Sequence, residues 1–140
     1  MTQVEIEAQI TKLRSKEEKA EEEAAAQLGK LGTKVIPALI ASFQGGDFEW
    51  PGALKEAFEK IGRVAVPYLV RALESNDRTT RLVATRLLWD FEEDAAPAIS
   101  TFVGRLADPD SKMRWLCAQG FGRIGPLARN ALPALLVSVR

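Results

Sequence analysis

Histidine is absent from this 140-residue chain. Its absence removes every site built on imidazole: Ser-His and Cys-His nucleophile pairs, H-E-x-x-H zinc sites and His-ligated haem. Lysine, aspartate and glutamate chemistry remains, but the commonest acid/base group is missing. The single cysteine allows no intrachain disulfide, which points to a reducing, cytoplasmic setting. No apolar run is long enough to span a bilayer. The first residues are polar and acidic, unlike a signal peptide. Lys and Arg number 19, Asp and Glu number 19, and the net charge is zero. Such a balance gives no general attraction to nucleic acid or to a membrane surface. Strand signals are missing too, since no run alternates apolar and polar with period two.

What is present is repetition. Hydrophobic residues make up 46% of the chain, enough for the core of one domain. Three segments align: "LGTKVIPALIASF" from Leu31, "IGRVAVPYLVRAL" from Ile61 and "FEEDAAPAISTFV" from Phe91. Gly32, Gly62 and Glu92 fall 30 residues apart, and so do Pro37, Pro67 and Pro97. A fourth copy starts at Ile124 with three extra residues between Gly125 and Pro133. The stretches between also repeat. "DRTTRLVATRLLWDFEE" from Asp77 lies over "DSKMRWLCAQGFGRIGP" from Asp110, and "AEEEAAAQLGKLG" from Ala20 lies over "MRWLCAQGFGRIG" from Met113. A fixed period of this length is the mark of a repeat architecture.

Within each unit the period is helical. Val35, Ile36, Leu39, Ile40 and Phe43 follow the i, i+3, i+4 spacing of an apolar stripe, as do Val66, Leu69, Val70 and Leu73. Each proline falls near the start of its stripe, where a missing amide costs little. Thr2 with Glu5 and Ser15 with Glu18 fit capping boxes, and Asp77 and Asp110 fit N-caps. Gly32, Gly62 and Gly125 fit helix stops. The pattern predicts nine helices, at about 3–14, 16–30, 34–44, 51–61, 64–74, 78–90, 94–106, 111–123 and 128–139.

A unit of two helices with "V-R-x-x-A…A-L-G-x-I-G" in the second resembles a HEAT repeat. More narrowly, it is similar to the short HEAT-like repeats of the phycobilisome-lyase type. The likeness is carried by Met113, Arg114, Phe121, Gly122, Ile124 and Gly125, by Arg81, Ala84 and Leu88, and by Ala24, Leu28, Gly29, Leu31 and Gly32. "LADPDSKMR" from Leu106 matches the loop between helices. The resemblance implies an all-α fold, an α-α superhelix of about four helix pairs plus a final unpaired helix. Its units would cover roughly 3–32, 33–62, 63–92 and 93–125, with a partial unit at 126–140. First helices would line the convex side and second helices the concave side. The pattern is broken by Trp89 where Gly29 and Gly122 stand, by Glu92 at the glycine rank, and by the irregular "QGGDFEWPG" from Gln44.

Several residues invite a functional reading. "GFGRIG", Gly120 to Gly125, spells a dinucleotide-binding turn. Such a turn must follow a strand and open a helix, whereas these glycines close one. Cys117 shares its rank with Ala24 and Ala84, so a buried packing role is expected over nucleophile or bilin attachment. Trp89 and Trp50 are expected to fill space between helices. Trp115 ranks with Glu22, Gly52 and Leu82, a mixed set that suggests exposure. An exposed Trp beside arginines has the composition of an interface anchor. The expected partner-binding set is therefore Trp115, Gln119, Arg123, Arg114, Arg81 and Arg86. Arg81 and Arg114, each four residues after an aspartate, are expected first to form structural ladder pairs with Asp77 and Asp110, and can still edge a partner site.

Charge segregates along the chain. Residues 91–110 hold five acids and one base, whereas residues 111–140 hold five bases and no acid. The segment at 128–139 is almost wholly apolar, and suggests self-association or continuation of the array. The expected function is a non-catalytic scaffold that holds a protein or peptide on its concave face. No cofactor, metal or membrane is expected. Alternatives are a bilin lyase-like chromophore binder, suggested by the repeat subtype alone, and a weak nucleic-acid binder, which the neutral net charge disfavours.

Overall fold

The computed structural model describes residues 1–44 and 52–125. The helix expected at about 128–139 and the Trp50-Pro51 helix start lie outside these residues. The described chain is all-helical. Its α-helices are α1 (Gln3–Lys12), α2 (Glu18–Lys30), α3 (Ile36–Ala41), α4 (Gly52–Ile61), α5 (Val66–Ala72), α6 (Arg78–Trp89), α7 (Ile99–Arg105) and α8 (Ser111–Ile124).

Three of the four capping sites expected from the sequence form. Thr2 Oγ1 accepts from the Glu5 amide at 3.2 Å. Asp77 Oδ2 accepts from the Thr80 amide and Asp110 Oδ1 from the Lys112 amide, each at 2.9 Å. Each bond satisfies a first-turn donor that has no helical partner. The exception is α2, where the Ser15–Glu18 box does not form. Lys16 takes a left-handed backbone, φ 64°, and the N-cap is Glu17, without a side-chain cap bond. The Ser15 hydroxyl accepts instead from the Glu17 amide, and Glu21 Oε1 from the Lys16 amide. The turn at Lys16 thus starts the helix later than the sequence pairing implied.

The ends obey one backbone rule. Gly32, Gly62 and Gly125 have φ of 60°, 87° and 75°, the left-handed region that glycine enters without a Cβ penalty. Glu92, at the same rank, adopts φ 48°. The backbone turn is therefore kept even where the glycine is not. Gly32 and Glu92 open 3-10 segments, Gly32–Val35 and Glu92–Ala98, and Gly62 precedes one, Arg63–Ala65. The α-helices expected from about 34, 64 and 94 begin later for this reason. Pro37 and Pro67 occupy the first positions of α3 and α5, and Pro97 sits in the 3-10 segment.

Helices pack α1 on α2, α2 on α4, α5 on α6, α6 on α8 and α7 on α8, while α3 touches α5 and α6. One apolar cluster runs through them, with Leu28, Leu39, Phe58, Leu69, Leu88 and Phe102 fully buried. Ala24, Ala84 and Cys117 are all buried, as their shared small-residue rank predicts. Two glycines mark the closest approaches. A Cβ on Gly29 would stand 2.5 Å from Lys60 Cβ of α4. A Cβ on Gly120 would stand 2.9 Å from the Phe102 ring of α7. The first glycine of "GFGRIG" is therefore a packing position. The stretch occupies the end of α8, where helix carbonyls are left open and the dipole disfavours phosphate.

Two substitutions probe these rules by denaturant unfolding. Glu92→Gly should stabilise the protein by about 0.5–1 kcal/mol, the left-handed penalty less the entropy cost of glycine. Gly120→Ala should destabilise it by about 1–3 kcal/mol through overpacking against Phe102.

Candidate functional site

Trp89 is the centre of the surface where the predicted residues meet. It closes α6 at a rank where α2 and α8 carry glycine. Only 7% of it is exposed. Its Nε1–H donates to the Leu116 carbonyl of α8 at 3.1 Å, so the indole is buried with its one polar atom satisfied. The Arg86 guanidinium lies 4.6 Å from its ring centroid and that of Arg123 lies 5.5 Å away. Both are cation–π distances. Trp115 completes the group, its ring 6.0 Å from Trp89 and tilted by 56°. It is 57% exposed, as its mixed rank implied.

The charges behind this platform are arranged in order of burial. Asp90, next to Trp89, faces Arg86 at 3.8 Å and Lys55 of α4 at 3.8 Å. Arg86 is thereby balanced from within. Arg123 and Gln119 are exposed on α8, the helix of Trp115. No carboxylate within 4.0 Å pairs with Arg123 among the described residues. Of the six predicted residues, the fold gathers Trp115, Arg123 and Arg86 around Trp89, with Gln119 one helical turn from Trp115.

Arg81 and Arg114 are used differently. Neither forms the expected ladder pair with Asp77 or Asp110. Arg81 Nη1 donates to the Ser75 carbonyl at 3.0 Å, and Arg114 Nη1 donates to the Asp108 carbonyl at 2.7 Å. Both bonds reach back six residues and pin the loop that precedes their own helix. Ser75 Oγ accepts from the Asp77 amide, and Asp108 Oδ1 from the Asp110 amide. Asp77 and Asp110 are occupied as caps, so each arginine turns to the loop carbonyls behind them.

The loops are joined to one another by ions. The buried Asp108 carboxylate faces Arg105 at 3.2 Å and Arg81 at 3.7 Å, and Arg105 also reaches Glu74 at 3.1 Å. Arg78 donates to Asp110. These links tie the loop before α6 to the loop before α8. Burial alone would push the Asp110 carboxyl up. The Arg78 hydrogen bond, the Lys112 and Met113 amides and the Arg78 charge outweigh it and hold the group below its ordinary 3.8.

Cys117 lies wholly inside. Burial raises its thiol to about 12, Asp108 adds to the rise, and Arg105 opposes it. A thiol held neutral in this way is neither a nucleophile nor an attachment point at neutral pH. Among the described residues, no helix is long and apolar enough to cross a membrane. Compared with known proteins, no family model and no curated protein matches the chain.

The Trp89 group is half legible in the sequence: Trp115, Arg123 and Arg86 stand out one by one, whereas Trp89 reads as a space-filling residue. The available signal was its replacement of glycine at a close-packed rank, with arginine three residues before it.

Two measurements follow. In the native protein Cys117 should resist an aromatic disulfide reagent, while denaturant should release one titratable thiol per chain. Because the folded pKa of Asp110 lies below the unfolded one, its stabilising contribution is complete above the unfolded value. It disappears as pH falls through the folded value. Asp110→Asn keeps a capping side chain and should flatten the loss of stability below about pH 4, as read by denaturant unfolding across pH.

Proposed function

We propose that this chain is a non-catalytic scaffold of stacked helix pairs, similar to short HEAT-like repeats, that binds a protein or peptide partner on the surface of its second helices. The observation that carries the reading is Trp115: a large, exposed indole resting on a buried tryptophan flanked by two guanidiniums. Tryptophan and arginine are the residues most enriched among interface hot spots. Here they are held in place before any partner arrives, which lowers the ordering cost of binding. Trp115, Gln119 and Arg123 form the contact surface in this reading, and Arg86 supports it from below. The loop-pinning bonds of Arg81 and Arg114 assign those two to the scaffold. The solenoid form is supported by the recurrence of the same loop bonds and the same left-handed turn at matching ranks.

The neutral Cys117 thiol speaks against bilin attachment at that residue. Nucleic-acid binding would show a steep fall with added salt.

The test is capture of partners by the intact chain with chemical cross-linking. Trp115→Ala should weaken the captured interaction by roughly tenfold or more, the scale of a hot-spot residue, with helical circular dichroism and melting unchanged. A large drop in melting temperature with binding retained would return Trp115 to the core and sink the reading.

A further inference from the structure

The helices α2 and α8 stand at the two limits of the described array. Each packs on one neighbouring second helix, α2 on α4 and α8 on α6. The chemistry of their remaining surfaces is opposite. Along α8 run Lys112, Arg114 and Arg123, all exposed, and the helix contains no acid. In α2, Glu18, Glu22 and Glu23 are exposed and Glu21 is half-buried, against Lys19 and Lys30. Large apolar residues are exposed at Met1 and at Val4 of α1, at Val64 between α4 and α5, and at Trp115 on α8.

The fold also shows how a further helix sits against such a surface. Ala118 and Gly122 of α8 align with Ala25 and Gly29 of α2 in the repeat. Ala25 is buried and Gly29 is pressed by Lys60 of α4. At the aligned positions in α8, Ala118 is exposed and a Cβ on Gly122 would meet nothing within 4 Å.

We propose that a second copy of this chain docks head to tail, its Glu-rich α2 lying on the Trp115–Arg123 surface of α8. The choice of occupant rests on charge: α8 is uniformly basic and α2 has a net excess of acid. The inference rests on the preceding reading that the α8 surface takes a protein partner, and it names that partner. Because the two surfaces differ, the contact is heterologous and can repeat from copy to copy. Its exposed ion pairs make it sensitive to salt.

The experiment is sedimentation equilibrium of the intact chain across a wide concentration range, at low and high salt. The average mass should rise with concentration at low salt and return toward that of one chain at high salt. The Glu22→Lys/Glu23→Lys double variant and the Arg123→Glu variant should each weaken association by roughly tenfold or more. An equimolar mixture of the two should recover it, since the reversed charges then face one another. Circular dichroism checks that both variants fold. A mass of one chain under all conditions overturns the proposal and leaves the capture of other proteins by Trp115 standing. Association that ignores both charge reversals also overturns it and moves the contact elsewhere, residues 126–140 included. Association that responds to the charge reversals but not to Trp115→Ala upholds the head-to-tail contact and removes Trp115 from it.

Discussion

The structure depends on one backbone constraint, a left-handed residue after each of α2, α4, α6 and α8. Gly32, Gly62, Glu92 and Gly125 all meet it. An ordinary residue in that region would let its Cβ crowd the following carbonyl, so three of the four positions carry glycine. At Gly32, Gly62 and Glu92 the turn leads into a short 3-10 segment, and α3, α5 and α7 follow. The helices α3, α5 and α7 are six or seven residues long, too short to persist alone in water, so packing on their neighbours holds them.

A second regularity operates at the other end of each pair. The loop before α6 and the loop before α8 are closed by the same bonds, an arginine to a carbonyl six residues back and a side chain receiving the aspartate's amide. The Asp108 ion cluster then joins one loop to the next. Asp108 is buried and shared between two guanidiniums, an arrangement in which the charges are compensated where they are desolvated. The arginine rank looked like a binding feature in the sequence because arginine is suited to both tasks. What separates the tasks is the direction of the guanidinium, and only the fold supplies that.

Trp89 departs from the repeat and creates the surface on which the functional reading rests. At its rank Gly29 admits a neighbouring helix to the limit of contact. Tryptophan there fills the space between α6 and α8, and its ring faces collect Arg86, Arg123 and Trp115. A break in a structural rule has thus been turned into a platform of aromatic and cationic groups. The platform itself is rigid through burial and a hydrogen bond, while Trp115 above it remains open to solvent.

The sequence by itself determined the eight described helices and several of their limits. Apolar spacing, two capping aspartates and three glycines act over a few residues, and local chemistry of that kind survives without knowledge of the fold. It also pointed to Cys117 as a packing residue, while the exposure of Trp115 was settled only by the fold. The tertiary structure alone decided which arginines pin loops, which stack on Trp89, and why a side chain at Gly120 would press on Phe102. The Gly120 and Arg123 contacts join groups 18 and 34 residues apart, Phe102 to Gly120 and Trp89 to Arg123, while the loop bonds of Arg81 and Arg114 span only six but depend on where each guanidinium points. The pairing at Ser15 failed for the same reason in miniature: a single left-handed residue, Lys16, moved the helix start, and no spacing rule in the sequence announces that turn.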